Sequence, residues 1–166
     1  MRQRMLVSAL STMTALAGGN GTVTVRGHAF KAEVATSDEE RARGLMYRAS
    51  MPPDACMFFL YEEEGHHSIW MKNCLISLDV AWIDAEGRVV ELVPDVPPPS
   101  PMRLYRSDRD YPTYGGALPS RHFIEFPVGT FKRLGLKKGD KLGWDLRLAE
   151  GSVLKNAGTP SKRKVP

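Results

Sequence analysis

Lys72, Asn73 and Asp79 stand close together in the stretch from His67 to Glu91, whose other residues alternate in the manner of buried strands. An ammonium, an amide and a carboxylate in such surroundings cost roughly a few kcal/mol each when left without partners. They therefore pair with one another or serve a ligand. In one reading, Lys72 and Asp79 form a buried ion pair that sets strand register. In another, the trio is the polar end of a pocket whose apolar walls are Met46, Trp70 and Met57. A third makes Asp79 a general base assisted by Lys72, since a neighbouring cation shifts both groups.

Other chemistries have less support. No Ser or Cys sits in a nucleophile elbow, and His28, His66, His67 and His122 are scattered without a motif. Met46, Met51, Met57 and Met71, with Cys74, His66 and His67, are soft or borderline donors that an exported protein could offer to Cu(I). They lack Met-x-x-Met or Cys-x-x-Cys spacing, so methionine packing is the reading taken, with no metal or cofactor expected. Cys56 and Cys74 lie at the ends of strands flanking one hairpin. In an oxidising compartment they could be joined, or they could be two buried free thiols.

The elements that must position these groups are short. Val23 and Val25, then Phe30, Ala32 and Val34, alternate across Arg26-Gly27-His28 as a hairpin, with Asn20-Gly21 read as linker before it. Ser37-Asp38-Glu39-Glu40 is a capping box and predicts a short helix to about Met46. Cys56 to Tyr61 is a continuous apolar strand, covered on both faces. Ile69 and Met71 face one way, Trp70 and Lys72 the other. Leu78 to Ile83 and Arg88 to Val93 form a hairpin around Asp84-Ala85-Glu86-Gly87. Phe123 to Phe126 is a strand, Pro127 to Leu134 a second helix ended by Gly135, and Leu142 to Leu148 a closing strand. The long Pro94 to Ser120 loop, rich in Pro, Gly and Tyr, is mobile or laid over the site.

Composition bounds the rest. The 166 residues, 42% of them hydrophobic, suit one domain. No apolar run approaches the ~20 residues that span a bilayer, so no integral membrane segment is expected. Arg2 and Arg4, a mildly apolar Met5 to Leu16 and Ala15-Leu16-Ala17 have the layout of a cleaved signal peptide over residues 1–17. Of the 23 basic residues, two lie in this leader and four beyond Glu150, leaving 17 against 19 acidic ones in the body. That balance argues against a nucleic-acid face. Residues 149–166 read as a disordered basic tail.

In order along the chain, Gly44-Leu45-Met46-Tyr47-Arg48, Met57-Phe58-Phe59, Trp70-Met71-Lys72-Asn73, Leu78-Asp79, Asp84-Ala85-Glu86-Gly87-Arg88-Val89-Val90 and Leu134-Gly135-Leu136-Lys137-Lys138-Gly139-Asp140 resemble the DUF192 (UPF0127) family over residues 27–148. This chain has Cys74 and Ser77 where the family usually has Thr and Pro, and its Pro94 to Ser120 loop is longer. The resemblance implies a mainly β (α+β) domain, compact, antiparallel and barrel-like, with two short helices. It also favours export to the periplasm or medium, and brings no established activity.

The expectation is a monomeric, exported binding or accessory module. Its ligand, a small molecule or chain end, would be held by Met46, Trp70, Lys72, Asn73 and Asp79. Signal processing should leave a mature protein that begins at Gly18. Intact-mass measurement on protein recovered from its own compartment checks this; retention of residues 1–17 would refute it.

Overall fold

The computed structural model describes residues 18–156. The chain forms β1 (Gly19–Val25), β2 (His28–Ala35), α1 (Asp38–Arg43), β3 (Ala55–Phe59), β4 (Ile69–Trp70), β5 (Leu78–Ile83), β6 (Val89–Val96), β7 (Thr113–Tyr114), β8 (His122–Pro127), α2 (Thr130–Leu134), β9 (Gly143–Leu148) and β10 (Val153–Asn156). Eight strands make one sheet in the order β10-β9-β1-β2-β3-β8-β5-β6, and β4 pairs with β7 apart from it.

The expected mainly β fold with two short helices is found, with two changes in the sheet. First, β2 and β3 are parallel, because the chain between them crosses over through α1 and the 44–54 segment rather than turning in a hairpin. Second, the sheet does not close into a barrel. A single bridge, Arg88 to Lys141, ties the start of β6 to the chain entering β9. Val89 N–H donates to Asp140 O at 2.8 Å beside it, but no ladder runs on from there.

Local signals explain the helices. The Ser37 hydroxyl accepts from the Glu40 amide at 3.2 Å, and the Glu40 carboxylate accepts from Ser37 N–H at 3.0 Å. Gly44 ends α1 at Arg43, a turn short of the expected Met46. Gly135, at φ 64°, ends α2 as expected. The tail departs from expectation: residues 153–156 form a strand on β9 instead of being disordered, since β9 would otherwise be an unpaired edge. Asn20-Gly21, expected as linker, lies inside β1. Residues 1–17 and 157–166 lie outside the described residues.

Two cores sit on opposite faces of the sheet. Cys56, Phe58, Ala81, Ile83, Ile124 and Phe126 join Phe131 of α2 on one side. Met57, Phe59, Val80, Trp82 and Phe123 meet Leu45 and Met71 on the other. This period-two sorting buries every residue of β3 and β5.

The 94–120 segment is laid over the second core. Trp82 donates its indole N–H to His67 O at 2.5 Å, and a Cβ at Gly115 would sit 2.1 Å from the Trp82 ring. Only glycine fits there, at φ 66°.

On β5, Asp79 shares the first face with Ala81 and Ile83. It is 1% exposed, accepting Phe131 N–H of α2 at 2.8 Å on Oδ2 and Asp95 N–H at 3.0 Å on Oδ1. This carboxylate anchors the start of α2, whose own preceding residue, Gly129, has no side chain to cap it. Asp79→Ala strands two amides and should destabilise the fold by about 3 kcal/mol in urea unfolding. A loss below about 1 kcal/mol would show that the anchor matters little.

Candidate functional site

A cleft of about 320 Å³ opens on the second face, between the α1 end and the β4 segment. Phe59 of β3 and Phe123 of β8 line it, their rings stacked at 4.2 Å. Met46 lies on one side; Trp70, Lys72 and Cys74 lie on the other. Two of the sequence motifs thus converge. Tyr47 donates its N–H to Asn73 O at 2.8 Å, and both residues hold left-handed backbone, at φ 62° and 56°. Such angles are uncommon outside glycine and need surrounding structure to hold them, more so for a bulky tyrosine.

The five expected site residues do not all meet. Met46, Trp70 and Lys72 line the cleft. Asn73 is not in its wall: its amide donates to Met46 Sδ at 3.7 Å, so it braces a lining residue. Asp79 is on the opposite face of the sheet, because β alternation puts it out of phase with Leu78, Val80 and Trp82.

The Lys72–Asp79 ion pair is therefore absent, and with it the acid–base pair. Lys72 instead pairs with Asp108 at 2.5 Å, in a 3-10 turn of the long loop, and its ammonium lies 5.1 Å from the Trp70 ring centre. Asp108 raises the Lys72 pKa.

The cysteines stay apart as well. Both are free and buried, Cys56 in the first core and Cys74 in the second. The sheet separates them, so the disulfide does not form, and burial pushes the Cys74 thiol up to about 12. The copper donors are dispersed: Met57 and Met71 are packed in the second core, His66 meets Gly116 O, and the His67 ring stacks on Tyr61. Among the described residues, no three His, Cys, Asp or Glu side chains gather as a metal site.

The residue that sequence reading missed is Glu125. Glu33, Met57, Glu125 and Val80 stand in one row across β2, β3, β8 and β5. At the edge of that row, Glu33 takes a two-pronged pair from Arg48, at 2.5 and 2.6 Å. Glu125 lines the cleft, is only 6% exposed, and its Oε2 has no hydrogen-bond partner among the described residues. Burial pushes its carboxyl up to about 8, against the opposing pull of Arg48. The missed signal was a lone acid inside the apolar run Phe123-Ile124-Glu125-Phe126.

The DUF192 family model, described as "Uncharacterized ACR", matches residues 21–144. A UPF0127 protein of Thermococcus gammatolerans is 28% identical over 131 residues, covering 78% of this chain and 77% of that one. One from Pyrococcus abyssi is 33% identical over 115 residues, 69% of this chain and 86% of its own. Among solved structures, a Novosphingobium aromaticivorans protein of unknown function superposes with TM-score 0.65 at 29% identity, over 82% of this chain and 91% of that one. A Sinorhizobium meliloti protein, named as a candidate transcription regulator, does so with TM-score 0.64 at 29%, over 76% and 92%.

The buried acid makes stability depend on pH in a defined direction. A carboxyl raised from 4.5 to about 8 keeps its proton in the fold while the unfolded chain releases its own. Stability contributed by Glu125 is thus lost progressively as pH rises from about 4.5 to 8, and is flat above. Glu125→Gln should stabilise the protein at pH 8 by on the order of 2 kcal/mol and change little at pH 4.5. Equal effects at both pH values in chemical denaturation would contradict a buried, protonated acid.

Proposed function

The chain belongs to the DUF192 family, and from that premise we propose that it is an exported binding module for a small ligand, with the 320 Å³ cleft as its site. The observation that carries this reading is Glu125: a nine-tenths buried carboxyl facing a cleft, with one oxygen lacking a hydrogen-bond partner among the described residues. Folding gains nothing from such a group, which costs about 1–3 kcal/mol when unsatisfied. A ligand that completes its hydrogen bonding recovers that cost. The cleft is concave, and apolar side chains such as Met46, Phe59, Ile69 and Phe123 share its wall with the charged Asp38, Arg41, Arg43, Lys72 and Glu125, so it has the concavity of a small-molecule pocket with a more polar lining.

Two features support the reading further. The 17 basic and 19 acidic residues of the body leave no excess charge to suit nucleic acid. The leader-like start of the sequence favours export, and no described helix is long and apolar enough to cross a membrane. The copper alternative rests on Met46 and Cys74, which both line the cleft, but a thiol held protonated is a poor start for thiolate ligation.

The three tryptophans make the test direct. Trp70 lines the cleft, whereas Trp82 and Trp144 are buried in the two cores. Titration with small amines, alcohols and carboxylates, followed by the indole N–H resonances, should move the Trp70 signal and leave the other two in place. Ala42→Phe, which adds bulk at the cleft wall, should suppress the shift. If no compound moves Trp70, or if Ala42→Phe has no effect, the cleft is not the binding site.

A further inference from the structure

The charges around the cleft narrow the chemistry of its occupant, granted that the cleft is a ligand site. Three cations stand at its rim, and each already has a carboxylate of its own. Arg41 pairs with Asp38 at 2.5 Å, Arg43 with Glu39 at 3.3 Å and Lys72 with Asp108 at 2.5 Å. Arg41 also donates to Leu60 O at 2.8 Å and to Thr36 O. These cations keep donors to spare, yet an anionic ligand would meet Asp38, Glu39 and Asp108 at the rim and Glu125 at the floor. The acid at the floor is in the reverse position. The guanidinium that acts on it, Arg48, is committed to both oxygens of Glu33, leaving Glu125 as the lining acid with an unpartnered oxygen among the described residues.

From these commitments we infer that the cleft takes a small organic ammonium, its charged end on Glu125 and its apolar body against Phe59, Phe123 and Tyr61. An ammonium supplies up to three donors to a carboxylate that can only accept once ionised. In a water-poor site that charge-assisted bond is about twice as strong as a neutral one. The aromatic side chains accommodate an apolar body and tolerate a nearby cation, as the Arg41 guanidinium 4.6 Å from the Tyr61 ring centre already illustrates.

Entry of the ammonium is coupled to a proton. The ionisable groups that act on Glu125 or share the cleft with it are Arg48, itself held by Glu33 of β2, Tyr61 beyond β3, Cys74 beyond β4, and Asp38, Arg41, Arg43 and Lys72 around the cleft wall, while β5 presents the apolar Val80. Burial keeps the Tyr61 hydroxyl and the Cys74 thiol protonated through neutrality. Glu125 is then the group whose proton leaves as the amine arrives.

The experiment compares three probes of one size, phenethylamine, 2-phenylethanol and phenylacetate, by the Trp70 indole resonance between pH 6 and 8. Phenethylamine should bind at least about tenfold more tightly than either analogue at pH 8. Its affinity should climb by close to tenfold per pH unit up to about 8, while that of the alcohol stays flat. Glu125→Gln should erase both the preference and the slope, yet leave weak binding of 2-phenylethanol. Equal binding of all three probes at Trp70, or an amine preference that survives Glu125→Gln, overturns the ammonium assignment and keeps the cleft as a site. Failure of every probe to perturb Trp70 overturns both.

Discussion

The structure depends on one constraint: its central strands, β3, β8 and β5, have no face to give to water. Each lies between two cores, so a side chain on either face must be apolar or bring its own partners. Besides the Cys56 thiol, which burial keeps protonated, three ionisable groups enter these strands, and each meets the constraint differently. Asp79 is satisfied by two backbone amides and thereby fixes α2 to the sheet. His122 stays neutral, its pKa lowered to about 3 by burial, and its Nδ1 accepts the Tyr61 amide at 3.2 Å. Glu125 has only a cleft beside it.

That cleft exists because the second core is covered piecemeal. Where the first face is closed by α2 and by side chains along β1, β2 and β9, the second is roofed by irregular segments. These are the turn after α1, the two-residue pair β4–β7 and the long loop. Their joints are specific: Tyr47 N–H to Asn73 O, Lys72 to Asp108, the Trp82 indole to His67 O. Irregular cover leaves gaps that a packed helix would fill, and ligand sites commonly occupy such gaps.

Much of the fold was legible from the chain because its signals are local. The β1–β2 and β5–β6 hairpins follow from alternation around turn residues, and the α1 capping box is written in four consecutive positions, Ser37 to Glu40. The parallel pairing of β2 with β3 was not legible, since it depends on where a crossover returns. Nor was β10, whose four residues, Val153 to Asn156, become a strand because the β9 edge lies beside them. The alternation that correctly assigned β5 also contained the fact that separates Asp79 from Lys72. Applying it required knowing which face the β4 segment would cover.

By itself the sequence determined most of the elements, the two-sided burial of β3 and the neighbourhood of the candidate site, with Met46, Trp70 and Lys72 on its wall. These rest on periodicity, capping and turn chemistry, which act over a few residues. Only tertiary structure decided which polar groups are paired. It gave Asp79 to α2, Lys72 to Asp108, and Glu125 to the cleft with one oxygen unpartnered among the described residues, because partnership of a buried charge is settled by residues distant in the chain that arrive only when the strands are assembled.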